Sequence, residues 1–132
     1  MSLDGRPLAH RVVGLDHVQL AMPPGAEREA EEFYCGLLGF EVLDKPPALA
    51  ARGGRWFGAH GGSVQVHLGV EDGFRPARKA HPALAVEGLD ELVGRLRVAG
   101  RPVRFDGDNP GVRRCYTEDP FGNRIELVDA GS

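Results

Sequence analysis

Cysteine is scarce in this chain: Cys35 and Cys115 are the only two among 132 residues, and they form no CxxC pair. A disulfide-stapled fold is therefore not expected, and reduced thiols fit an intracellular protein better than a secreted one. Charge of one sign is not in excess either. Sixteen basic residues stand against 19 acidic ones for a net charge of −3, which removes the general attraction that a nucleic acid or an anionic membrane would need. No run approaches the roughly 18 apolar residues of a membrane span. The opening MSLDGRPLAHR also lacks the apolar stretch of a secretory leader. These absences predict a cytoplasmic protein with neither nucleic-acid nor membrane partners.

What is present is a core-forming composition broken by many turns, 42% hydrophobic with 19 glycines and 10 prolines. A chain of this length makes one domain, residues 1–132, and buries roughly two thirds of the surface it exposes when unfolded. Between Val12 and Met22, alternation puts Val18, Leu20 and Met22 on one strand face and His17, Gln19 and Ala21 on the other. Pro23, Pro24 and Gly25 end that strand. Ala30, Phe33, Tyr34, Leu37 and Leu38 then recur at helical spacing, predicting a helix from about Glu27 to Leu38 that Gly36 and Gly39 weaken. Short strands are expected at Phe40–Leu43, Trp56–Ala59 and Ser63–Val70, with a loop over Lys45–Arg52.

After the polar connection EDGFRPARKA the same order returns. A strand at His81–Val86, a helix at Leu89–Val98 and strands near Val103–Phe105, Val112–Thr117 and Arg124–Val128 make a second strand–helix–strand–strand–strand unit. HVQLAM lies over HPALAV, and VQVHL lies over NRIEL with His67 over Glu126. The expected class is α+β, with two modules at about 12–70 and 80–129 whose sheets close around a shared hollow.

His17, His67, His81 and Glu126 are each a polar member of an otherwise apolar strand. Imidazole nitrogens and a carboxylate on rigid strands suit one divalent ion, Fe, Mn, Ni, Co or Zn. Glu126, set between Ile125 and Leu127, also needs a partner if it is buried, and an ion would supply one. The competing reading is structural: His17 and His81 satisfied by backbone groups, His67 exposed, and Glu126 paired with Arg124 or Arg113.

LDHVQLAM, FYCGLLGFEV, RWF, VHLGV and above all YTEDPFGNRIEL together resemble the vicinal oxygen chelate superfamily of glyoxalases, bleomycin-resistance proteins and extradiol dioxygenases, from about Gly14 to Asp129. The resemblance implies paired βαβββ modules forming a U-shaped metal-binding cup, commonly in a homodimer. It also implies ligand places at His17, His81 and Glu126. His67 falls where a glyoxalase I has a glutamate and methylmalonyl-CoA epimerase a glutamine, which argues against lactoylglutathione chemistry.

The chemistry then expected is a metal-dependent enzyme acting on a small molecule that chelates the ion through oxygens, with an enolate, alkoxide or catecholate stabilised as charge develops. His67 is the candidate catalytic base if it is not a fourth ligand. Gln19, Gln65, Arg113 and Arg124 are candidate polar substrate contacts, and Phe57 a candidate apolar wall. Trp56 is expected in the core or a dimer interface. The alternative of another class is a dimeric binding protein that sequesters an aromatic or peptide-like compound, as bleomycin-resistance proteins do.

Overall fold

A computed structural model describes residues 2–131 of the chain. The first module runs β1 (Val18–Met22), α1 (Glu27–Tyr34), β2 (Glu41–Leu43), α2 (Pro47–Ala50), β3 (Arg55–Ala59) and β4 (Val64–Val70). The second runs β5 (Ala83–Val86), α3 (Leu89–Val98), β6 (Arg104–Asp106), β7 (Arg114–Glu118) and β8 (Arg124–Asp129). Each module folds into one four-stranded sheet, ordered β1-β4-β3-β2 and β5-β8-β7-β6. In both, the first strand lies parallel to the last and forms an edge, while the remaining pairs are antiparallel. This is the α+β repeat that the two matching halves of the sequence predict.

Alternation along the strands sorts the side chains. Met22, Phe57, Val66 and Leu68 of the first sheet pack with Phe33 and Tyr34 of α1, and Cys115, Ile125 and Leu127 pack with Leu89, Val93 and Leu96 of α3. Each such side chain contributes roughly 1.5–3 kcal/mol when fully buried. Asp90 and Glu91 in the first turn of α3 and Arg95 and Arg97 in its last complement the helix dipole. Among the described residues no helix is long and apolar enough to cross a membrane.

Some boundaries differ from the sequence expectations. α1 stops at Tyr34 because the backbone bends there: Leu37 and Leu38 both donate to the Phe33 carbonyl, and Gly39 takes a φ of +86°. The Lys45–Arg52 loop holds α2, started by Pro47 at a helix position that needs no N–H. The strand expected from Val12 starts only at Val18, since the parallel register of Val18 with Val66 leaves residues before Asp16 no partner in β4.

The modules are joined through the DPFGN turn. Asp119, only 1% exposed, accepts from the Tyr34 hydroxyl at 2.8 Å, from Asn123 Nδ2 at 2.8 Å and from the backbone N–H groups of Phe121 and Asn123, both at 2.9 Å. Asn123 Nδ2 also donates to the Ala21 carbonyl at the end of β1. Burial, then the Asp119 charge, raises the Tyr34 pKa well above its usual value, so the hydroxyl stays a donor. Gly122 takes the positive φ that the turn requires.

Candidate functional site

His67 on β4 and Glu126 on β8 are each met by a histidine just ahead of the neighbouring edge strand, His17 before β1 and His81 before β5, so the four polar singletons fall into two pairs. In the first module β1 and β4 set His17 beside His67 with ring centroids 4.1 Å apart and planes 14° from parallel. Trp56 covers the other face of His67 at 4.2 Å and 10°, so three rings stack in the order Trp56, His67, His17. The β3–β4 register explains this, since Trp56 stands directly opposite His67. Trp56 therefore lies on the sheet face of His67, opposite the face that packs on the helix. Phe57, next along the strand, takes the core face, fully buried and stacked on Tyr34. It is not a wall of the hollow, because Trp56 occupies that face and alternation leaves Phe57 the other.

Hydrogen bonds orient the histidine rings. His17 Nδ1 lies 2.8 Å from the Asp16 carboxylate, and His81 Nδ1 lies 2.7 Å from the Lys79 carbonyl. Carboxylates and carbonyls only accept, so each Nδ1 is placed to donate and Nε2 of each ring is turned the other way. Metal-binding histidines are held in this way, with the far nitrogen donating to a carboxylate or carbonyl. His67 is held the other way: its Nε2 donates to Gln65 Oε1 at 2.9 Å, and the Gln65 amide donates on to the Gly62 carbonyl. Burial, then repulsion from His17, lowers the His67 pKa and keeps it neutral.

In the second module His81 Nε2 lies 2.9 Å from Glu126 Oε1. Glu126, like the Lys79 carbonyl, only accepts, so the His81 ring is bracketed by an acceptor at each nitrogen. Arg114 Nη1 donates to Glu126 Oε2 at 3.3 Å, and Arg114 Nη2 donates to Asp106 at 3.2 Å. Burial works against the Glu126 charge, but the hydrogen bonds from His81 and Arg114 outweigh it and hold the carboxyl below its usual value. Arg114 is the partner that sequence reasoning missed; alternation from Tyr116 along β7 would have found it. Arg113 points to the sheet's outer end, where it pairs with Asp90 and Asp129 and lies over Phe105. Arg113 thus lies off the face that carries Tyr116 and Glu126, where alternation along β7 places Arg114 instead.

A cavity of about 910 Å³ opens between the edge strands β1 and β5 and is lined by His17, Gln19, Gln65, Phe74, His81 and Asn123 among others. Gln19 has room there because Gly69 faces it; a Cβ on Gly69 would stand 2.5 Å from Gln19 Nε2. Arg124 lies outside this cavity, against the ring of Tyr116 at 4.1 Å. Among the described residues of one chain, no three His, Cys, Asp or Glu side chains gather closely enough to hold a metal ion. The donor types fit a divalent ion, two imidazole Nε2 atoms and a carboxylate, but one chain presents them as separate pairs. Cys35 and Cys115 are free thiols, both pushed up in pKa by burial, and neither joins the site.

Comparison with known proteins agrees with this architecture. The family model described as Glyoxalase/Bleomycin resistance protein/Dioxygenase superfamily matches residues 14–127. A crystal structure of a glyoxalase family protein from Bacillus anthracis is 44% identical, with 92% of this chain and 98% of that one covered and a TM-score of 0.87. An antibiotic binding protein from a Streptomyces species is 25% identical over 91% of this chain and 98% of its own, with a TM-score of 0.66. A genomically encoded fosfomycin resistance protein from Listeria monocytogenes shares the fold at 16% identity, with 91% and 95% coverage and a TM-score of 0.71. Among curated proteins none matches the chain. With two βαβββ modules, polar singletons on the concave-side strands and a family match over nearly its whole length, the chain belongs to the glyoxalase/bleomycin resistance protein/dioxygenase superfamily.

Proposed function

We propose that the chain is a metal-dependent enzyme of the glyoxalase or dioxygenase type, acting on a small molecule bound through its oxygens and working as a homodimer. The observation that carries this reading is the shared placement of His17 and His81, each with Nδ1 against an acceptor and Nε2 turned away from it, together with the Glu126 carboxylate beside the Nε2 of His81. Metal-binding histidines are commonly held by donation from the far ring nitrogen, and His81 Nε2 and Glu126 Oε1, 2.9 Å apart, are near enough for one ion to take both.

His17, His81 and Glu126 would hold the ion, whether Fe, Mn, Ni, Co or Zn. Bound there, it would supply Lewis-acid stabilisation for an enolate, alkoxide or catecholate. His67 is the ring that orients His17, because its Nε2 is committed to Gln65 and its faces to Trp56 and His17. For His67 to act as a base, its uncommitted Nδ1 would have to reach the substrate. Since one chain offers only pairs, a complete set requires the first module of one copy to meet the second module of another. Val12, Val13 and Leu15, 84–90% exposed just before β1, supply apolar surface for that meeting.

A second reading rests on the cavity itself. Its volume of about 910 Å³ and its apolar lining, including Leu15, Leu20, Phe74 and Leu84, suit sequestration of a hydrophobic compound without catalysis. Elemental analysis of protein purified without added metal separates the two. Near-stoichiometric metal that is lost in His17→Ala and in Glu126→Ala supports the enzyme. Metal-free protein that binds a hydrophobic aromatic compound tightly supports sequestration and overturns the first reading.

A further inference from the structure

The second sheet carries an arrangement that the proposed ion donors do not use. Three guanidinium groups surround one aromatic ring: Arg124 lies 4.1 Å, Arg104 5.2 Å and Arg114 5.8 Å from the centre of Tyr116. The register accounts for it. Arg104 stands directly across from Tyr116, Tyr116 directly across from Glu126, and Arg124 one row further along the same face of β8.

Arg114 is neutralised by Asp106 and Glu126. Arg104 and Arg124 make no ion pair among the described residues, although Glu118 is the register neighbour of Arg124. Their distances from the ring centre keep the two charges within about 10 Å of each other, the screening length at 0.1 M salt. They therefore repel. The Tyr116 ring face compensates for part of this, since guanidinium stacking on an aromatic ring is attractive. An anion placed between the two guanidiniums would relieve that repulsion.

The space for one is present. A second cavity, of about 560 Å³, is lined by Arg78, Arg104, Tyr116, Glu118 and Arg124, three positive charges against one negative. It is separate from the cavity of His17 and His81, yet Tyr116 closes its wall and touches His81 edge-on at 5.4 Å between ring centres. We infer that this cavity is an anion-recognition site, in which Arg104 and Arg124 bind a carboxylate or phosphate group and the Tyr116 ring holds both guanidiniums in place. Planar guanidinium forks suit either oxyanion. The substrate class that follows is a small molecule with an anionic group at one end and the metal-directed oxygens at the other. That last step rests on the proposed roles of His81 and Glu126; anion binding itself does not.

The test is titration of the purified full-length protein with inorganic phosphate and, separately, with succinate, at low salt, followed by calorimetry and amide chemical shifts. Saturable binding is expected, weakened about tenfold in each of Arg104→Gln and Arg124→Gln and unchanged in Arg113→Gln, whose charge lies outside the cavity. If a glutamine variant does not fold, Arg104→Lys keeps the charge and should lose less affinity than a neutral change. Tighter binding of phosphate than of succinate assigns a phosphate-bearing ligand, and the reverse order a carboxylate. Absence of saturable binding, or equal weakening by Arg113→Gln, overturns the inference. Metal content measured on the same samples keeps the questions apart, since metal-replete protein that binds no anion sinks this inference alone, and anion binding by metal-free protein sinks only the metal reading.

Discussion

The two modules place polar side chains at matching strand positions and then hold them by different physics. In the first, rings exclude water: His67 lies between Trp56 and His17, and burial pushes it toward neutrality. In the second, charges do the holding: Arg114 and His81 keep Glu126 ionised although burial opposes it. A duplicated backbone thus fixes where donors stand but not what steadies them. The first half should answer to loss of aromatic surface, the second to loss of charge.

The sharpest way to break the comparison is to separate the halves. If the proposed site is shared between two copies, His17→Ala and Glu126→Ala should each purify without metal, and a mixture of the two, unfolded and refolded together, should regain it, because a mixed dimer would pair one intact first module with one intact second module. Elemental analysis reads the result; a mixture that stays metal-free would mean that the halves do not complete each other. Next in size is Asp119→Ala, which strips partners from Tyr34, Asn123 and two backbone N–H groups. It should cost about 3 kcal/mol in urea unfolding, whereas a loss under about 1 kcal/mol would show that the turn is not the joint.

Trp56→Ala should cost roughly 2 kcal/mol and raise the His67 pKa toward its ordinary value by uncovering the ring, seen by proton NMR titration. Acid should then loosen the halves in sequence. His67 titrates below 6.5 when folded, so the unfolded chain takes up that proton first and stability declines as pH falls through 6.5 toward the folded value. Glu126 titrates below 4.5 when folded, so its contribution is whole above 4.5 and lost only beneath it. Amide exchange followed against pH should show β1 and β4 opening before β8. The smallest change is expected for Arg113→Ala, within about 0.5 kcal/mol, because its ion pairs are exposed.

Much of the fold was legible because each strand pattern repeats. Helix α3 lies at Leu89–Val98 as its periodicity predicts, and His67 and Glu126 fall on the faces that alternation assigns them, whereas His17 and His81, expected within strands, sit just ahead of β1 and β5. What alternation cannot supply is register. Trp56 and Phe57 both sit in β3, and only the pairing with His67 decides which one faces the hollow. Arg113 and Arg114 pose the same problem at the start of β7, where one residue's difference exchanges solvent for Glu126. The ring orientations were out of reach as well, since Lys79 and Asp16 act through local geometry and carry no signature in the sequence.

Tyr34 and Asp119 line neither of these cavities, but Asn123, which donates to Asp119 and to the Ala21 carbonyl, lines the first and Gly122 the second, so the seam between the modules is continuous with both hollows. A substitution at Asn123 would therefore reshape the first hollow and slacken the grip of one half on the other in a single step, so pocket shape and module docking are tied together at that one amide.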